Sequence, residues 1–458
     1  MTTVLPMHSE TSDGGHADDC GCGCEDHERT GLSRRGFMGL VGTGAAVLGY
    51  SSLGSRMAFA TPENPSTGDV LVVVFMRGGW DGLNVVAPYQ YPTYKTLRPT
   101  IRIKEPSEFT DPTGKAGLPL VAGGNVAPFD LSGTFAFNPS MTHLHTGAWA
   151  DGKLAVIHAA GMPASESSTR SHFEAEQYWE RGTRSLGTSS GFVNRYLAGQ
   201  SGLDRLSAVG RGSTLQTSLQ GPATAVSMSS ISGFGVTGFP NNTQARNALN
   251  NLYRHGPQLL DETGADTLDV INLLTSLPAD PGPQNGATYG TDDLSRNLRE
   301  VARLIRGNVG LRAVAIDFGG WDTHSDMGMP EDPASYMRQR TGLVAQAFQA
   351  FYRDLGTAMD EVTLVTLSEF GRTIGENGSG GTDHGRGNLM LALGGKIKGG
   401  VYGGFPGTIA DGPEGDLTVM TDYRRVLSEI LQVRCGATNL GSIFPTYTQQ
   451  SPLGLTVT

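Results

Sequence analysis

Residues Asp69 to Met76 read Asp-Val-Leu-Val-Val-Val-Phe-Met, an apolar, β-branched run with no alternation of polar and apolar positions. Such a run suits a strand covered on both faces and does not suit one with a face in water. Four further runs share the pattern: Lys153 to Ala160, Leu311 to Phe318, Val362 to Leu367 and Leu389 to Leu393. Helical patterns lie between them, at Ser171 to Arg181, Thr243 to Tyr253, Asp292 to Arg306, Ala334 to Met359 and Asp422 to Val433. Buried strands alternating with helices predict an α/β fold with a mostly parallel central sheet between helical layers. The stretch from 202 to 238, with short β-type pieces and many Ser, Thr and Gly, predicts an inserted β-rich subdomain or loop layer. Pro278 to Tyr289 reads as a loop.

Sixty-five of the 458 residues are glycine. With no repeat period, that content implies tight turns and long shaped loops. The net charge of -10 speaks against nucleic acid as a partner. A small anionic substrate remains compatible, because a local metal site or helix N-terminus holds an anion whatever the global charge.

The first sixty residues predict export. Ser33-Arg34-Arg35-Gly36-Phe37-Met38 has the pattern of a twin-arginine (Tat) signal, a Gly/Ala-rich apolar stretch follows to about Leu53, and Ala58-Phe59-Ala60 has the form of a cleavage site. The stretch is too short and too rich in glycine to span a bilayer. The expected division is 1–60 as signal peptide and 61–458 as one domain, with the Tat translocase as a transient partner and the periplasm, cell envelope or extracellular space as the destination. Cys20, Cys22 and Cys24 lie in the leader, so Cys435 alone remains in the body and no internal disulfide is expected.

In a parallel sheet, ligands bind beyond the carboxyl ends of the strands. Arg77-Gly78-Gly79-Trp80-Asp81-Gly82-Leu83-Asn84 follows the first buried run. Gly319-Gly320-Trp321-Asp322-Thr323-His324 follows the third. Ser368-Glu369-Phe370-Gly371-Arg372-Thr373 follows the fourth, and a glycine-rich loop leads on to Thr382-Asp383-His384-Gly385-Arg386. Asp, Glu and His meeting at one edge are a ligand set for a divalent ion. Ser171 with Glu174 has capping-box spacing at a helix start. A hydroxyl there, from Ser168, Thr169 or Ser171, is a candidate nucleophile, and Arg170 and His172 are candidate contacts to an anionic group.

The ordered segments RGGWDGLN, RSHFEAEQYWERG, FGGWDTHSD, LSEFGRT and TDHGRG, behind a twin-arginine leader, resemble the exported bacterial family called domain of unknown function 1501, grouped with the alkaline-phosphatase and sulfatase-like superfamily. The resemblance implies an α/β/α sandwich, a zinc, manganese or calcium site, and hydrolysis or transfer of a phosphate or sulfate ester. Asp81, Asp322, His324, Glu369 and His384 match the metal ligands. The catalytic group would draw on Thr169, Ser171, His172 and Arg372, with Thr169 or Ser171 attacking the ester unless activated water does so. Arg77, Asn84 and Arg386 would contact substrate, with Arg372 a further arginine able to clamp the anion. Phe370 departs from the pattern, standing where the superfamily has His or Asn. That departure keeps a second reading open, a non-catalytic exported binding or assembly protein with a protein partner.

Overall fold

The computed structural model describes residues 69–457 apart from 122–133, 167–168, 186, 236–241, 254–257 and 407–414. The predicted leader and Ser168 lie outside the described residues. The central sheet contains β1 (Val70–Phe75), β2 (Leu154–Gly161), β3 (Ala208–Arg211), β4 (Val226–Met228), β5 (Ala313–Asp317), β6 (Val362–Leu367), β7 (Asn388–Gly394), β8 (Gly400–Gly403) and β9 (Thr421–Asp422). Their order is β8-β2-β7-β6-β1-β5-β3-β4, with β9 also beside β2. β1 lies at the centre in register with both neighbours, Val72 standing opposite Val314 on one side and Leu364 on the other.

The alternating sides of β1 face two different helical layers, which is why the run shows no polar position. Val70, Val72 and Val74 pack in one core with Leu294, Leu298 and Val301 of a helix at Asp293–Arg306 and with Val344, Phe348 and Phe351 of another at Tyr336–Leu355. Leu71, Val73 and Phe75 pack in a second core with Trp179, Phe192 and Val426, from helices His172–Arg181, Phe192–Ala198 and Tyr423–Glu429. The architecture is therefore an α/β/α sandwich around a mostly parallel sheet. No helix among the described residues is long and apolar enough to cross a membrane.

Three features add to or depart from the sequence reading. The stretch 202–238 is not a separate layer, because β3 and β4 extend the central sheet in parallel beside β5. β7 runs antiparallel to both of its neighbours, β2 and β6. The chain therefore leaves β6 and re-enters β7 at one sheet edge, so both ends of the loop 368–387 stand at the carboxyl ends of the parallel strands. The helix Gln258–Ser276 was not anticipated, since Gly264 interrupts its pattern with a poor helix former.

His158, on β2, is buried, stacks on Phe135 at 4.3 Å between ring centroids and leaves Nε2 without a hydrogen-bond partner. Burial pushes its pKa down to about 3. The unfolded chain takes a proton on this ring below about pH 6.5 while the native state refuses it. Stability is therefore lost as pH falls from about 6.5 toward 3, with a limiting slope of about 1.4 kcal/mol per pH unit for this one proton. A His158→Leu variant is expected to flatten that slope in urea unfolding between neutral and mildly acidic pH. Parallel pH profiles for variant and parent would contradict the assignment.

Candidate metal centre

Three loops and the start of one helix build the site. At the end of β1, Gly78 and Gly79 adopt φ of 110° and 63°. A Cβ on Gly78 would stand 2.6 Å from the backbone nitrogen of Asp322, and one on Gly79 would stand 2.6 Å from the Phe370 ring. Only glycine fits at either position, and its absence of a side chain lets the loop after β1 lie against the loops after β5 and β6. Beneath them Trp80 and Trp321, both fully buried, meet edge to face at 5.6 Å.

Arg372 fastens these loops together. Its side chain is inaccessible to solvent, and it donates to the carbonyls of Gly79 (2.7 Å), Thr382 (3.1 Å), Trp321 (3.2 Å) and Gly78, and to Asp322 Oδ1 (2.7 Å). The predicted anion clamp is thus spent on holding the loops in place. Glu369, also buried, accepts from the Gly78 amide at 2.7 Å and faces His172 Nδ1 at 2.7 Å.

Three imidazoles share one arrangement. His172 Nδ1 faces the Glu369 carboxylate, His324 Nδ1 faces Asp383 Oδ1 at 2.8 Å, and His384 Nδ1 faces the Arg170 carbonyl at 2.8 Å. Each acceptor requires Nδ1–H, which leaves the lone pair of a neutral ring on Nε2. The three Nε2 atoms turn to Asp322 Oδ1, at 3.3 Å from His172, 3.1 Å from His324 and 3.4 Å from His384. His324 and His384 bring their Nε2 atoms within 2.9 Å of each other, while His172 Nε2 is buried without a hydrogen-bond partner. The ligand atoms of His172, Asp322 and His384 all lie within 4.8 Å of one another. Phe370 forms an apolar floor, its ring 4.8 Å from that of His172 and 4.6 Å from that of His384.

The electrostatics follow from these contacts. Burial alone would raise the Asp322 pKa, but the Arg372 hydrogen bond and charge, with His172 and His324, bring it down to about 2. The hydrogen bond to Glu369 raises His172, against the opposing effect of burial. Burial lowers His384, with help from the positive charge of Arg372. The cluster therefore presents an anionic carboxylate beside imidazole lone pairs. Two Nε2 atoms at 2.9 Å and an orphaned third need a proton or a cation among them, so this donor set fits a divalent ion.

The structure brings together His172, Asp322, His324 and His384, with Arg372 and Glu369 supporting them from behind, and places the remaining predicted site residues in other contacts. Asp81 pairs with buried Arg98 at 2.7 Å and caps the turn Gly82–Val85 through the Leu83 amide, so its carboxylate is consumed outside the cluster. Glu369 orients His172 from behind. His172, expected to touch an anion, instead turns Nε2 into the cluster. Arg77 is held by Glu176, Glu180 and Asp317. Asn84 is buried, donating to the Ile101 carbonyl at 2.6 Å. Arg386 stands 3.4 Å from Asp416, which also pairs with Arg170. Thr169 donates to Glu174 at 2.6 Å, and Ser171 is the N-cap of its helix without a side-chain capping bond, so the expected capping box does not form. No hydrogen bond or ion pair joins Thr169 or Ser171 to the cluster among the described residues.

Sequence reasoning missed the orienting roles of Asp383 and the Arg170 carbonyl. Asp383 precedes His384 directly, yet it serves His324, and no local spacing signals a contact across 59 positions.

The family described as protein of unknown function (DUF1501) matches residues 69–419. No curated protein matches the chain. Among solved structures, a TAB5 alkaline phosphatase variant with Mg bound in its M3 site aligns at 10% identity and a TM-score of 0.28, covering 81% of this chain and 99% of that one. The lipoteichoic acid synthase LtaP from Listeria monocytogenes aligns at 8% identity and a TM-score of 0.25, covering 74% and 68%. At these scores the fold assignment rests on the strand order itself. The family match runs from the start of β1 past the end of β8, and the chain belongs to the DUF1501 family of proteins of unknown function.

Proposed function

We propose that the protein is an exported, divalent-metal-dependent hydrolase or transferase of phosphate or sulfate esters, with one ion held by His172, Asp322 and His384 and with His324 beside them. The observation that carries this reading is the convergence of three Nε2 atoms on one carboxylate oxygen, each ring fixed from behind through Nδ1. The nitrogen-rich set suits zinc better than manganese or calcium, which prefer oxygen ligands. A single ion fits better than two, because Asp81 is committed to Arg98. A divalent ion in this place polarises an ester oxygen and makes water a stronger nucleophile. Water is the attacking group this geometry favours, since the Thr169 hydroxyl is directed at Glu174. Arg386, two residues beyond His384, is the arginine proposed to meet the anion.

The test is elemental analysis of protein purified after native export, followed by a screen of phosphate and sulfate monoesters. Near-stoichiometric zinc or manganese with metal-dependent turnover supports the enzyme. Protein that remains metal-free after incubation with either ion refutes it. A Glu369→Ala variant, which frees Nδ1 of the proposed ligand His172, is expected to weaken metal affinity about 10–100-fold; titration with a competing chelator measures it. Processing at the twin-arginine leader predicts Thr61 as the first residue of the mature chain, which N-terminal sequencing checks.

The commitment of Arg77 and Arg372 to partners within the protein favours a second reading, a binding or assembly protein that keeps the metal and lacks turnover. Bound metal with no ester hydrolysis across the screen would select it.

A further inference from the structure

The amino ends of the strands, at the opposite edge of the sheet from the metal centre, border a cavity of about 590 Å³. It lies where β1 begins at Val70, before β5 at Arg312 and before β6 at Glu361. Arg312 is only 8% exposed, and its guanidinium makes no hydrogen bond or ion pair with any side chain or carbonyl among the described residues. Its nitrogens are not sealed from solvent, so they reach water through the cavity and are open to a ligand there. The other charged residues of the wall do not occupy it. Arg306 is bound to Asp354 at 2.5 Å, and Glu361 is exposed. Asp204 is close enough for the charge of Arg312 to lower its pKa, against burial that raises it, yet the two form no ion pair. The same wall has an apolar part, with buried Leu304 and Val309.

We propose that this cavity binds a small zwitterion with a carboxylate, an ammonium and an aliphatic side chain, the chemistry of a free aliphatic amino acid. Arg312 takes the carboxylate in a two-pronged contact, which a guanidinium fork suits. Asp204 takes the ammonium, and the apolar wall takes the side chain. A plain anion fits less well, since it would face the Asp204 carboxylate with no cationic group of its own.

Calorimetric titration of the full chain with L-leucine tests this, with 4-methylpentanoate (the same skeleton without the ammonium) and inorganic phosphate as comparison probes. Saturable leucine binding is expected, weakened at least about tenfold in both Arg312→Gln and Asp204→Asn and at least about tenfold for 4-methylpentanoate. Absence of saturable leucine binding up to about 10 mM overturns the proposal. Phosphate or 4-methylpentanoate binding as well as leucine, with Asp204→Asn without effect, overturns it too by showing a plain anion site. If Arg312→Gln does not fold, the half-buried Asp204 variant and the comparison of leucine with 4-methylpentanoate on the parent chain still decide.

Discussion

An Asp322→Ala variant is expected to lose at least about a hundredfold in affinity for zinc or manganese while keeping its fold. Removing a group that only orients a ligand costs about 10–100-fold, so removing the shared ligand sets that as the lower bound. All three Nε2 atoms face this one oxygen, and with its pKa near 2 the carboxylate is anionic throughout the neutral range. The fold is expected to survive because the Asp322 side chain is 51% exposed and Arg372 retains four carbonyl acceptors without it. Chelator competition and circular dichroism on the same sample check both halves. Unchanged metal affinity in a folded variant would place the ion elsewhere and sink the metal centre described here.

Arg372→Leu has the opposite profile, a large loss of stability as well as loss of metal. The guanidinium is fully enclosed, and its removal takes the donor from the carbonyls of Gly78, Gly79 and Thr382, while the Trp321 carbonyl keeps the Thr323 amide. Truncating one partner of a buried charged network costs about 3–5 kcal/mol, which urea unfolding would register as a lower midpoint at unchanged slope. Arg372→Lys is expected to recover little, since one ammonium cannot reach acceptors spread over three loops as a planar fork does. A leucine variant as stable as the parent would show that the loops hold their places without the clamp.

The sequence made the layers legible because the central strands are buried on both faces, and five such runs stand out from their surroundings. Their direction was not legible, since Leu389 to Leu393 has the same pattern whichever way it runs. β3 and β4 are too short to carry a periodicity. At the site, the strand-end segments announced themselves, but the roles within them did not. Asp81 and Asp322 both follow a Gly-Gly-Trp sequence at a strand end. What separates them is Arg98, which neutralises one of them inside the protein, and nothing near Asp81 in the chain marks that arginine as its partner. His172 was read as an anion contact because a helix start suggests anions; its true neighbours, Glu369 and Asp322, lie far away in sequence.

The reversed direction of β7 bears on how the site is tied to the scaffold. Two adjacent antiparallel strands need only a tight turn between them, yet here the loop 368–387 joins them and carries Glu369, Arg372, Asp383 and His384. The sheet makes no demand for that extra chain. Because Arg372 ties this connection to the loops after β1 and β5, shortening it would remove a structural fastening together with the proposed ligands, so stability and site chemistry are carried by one segment.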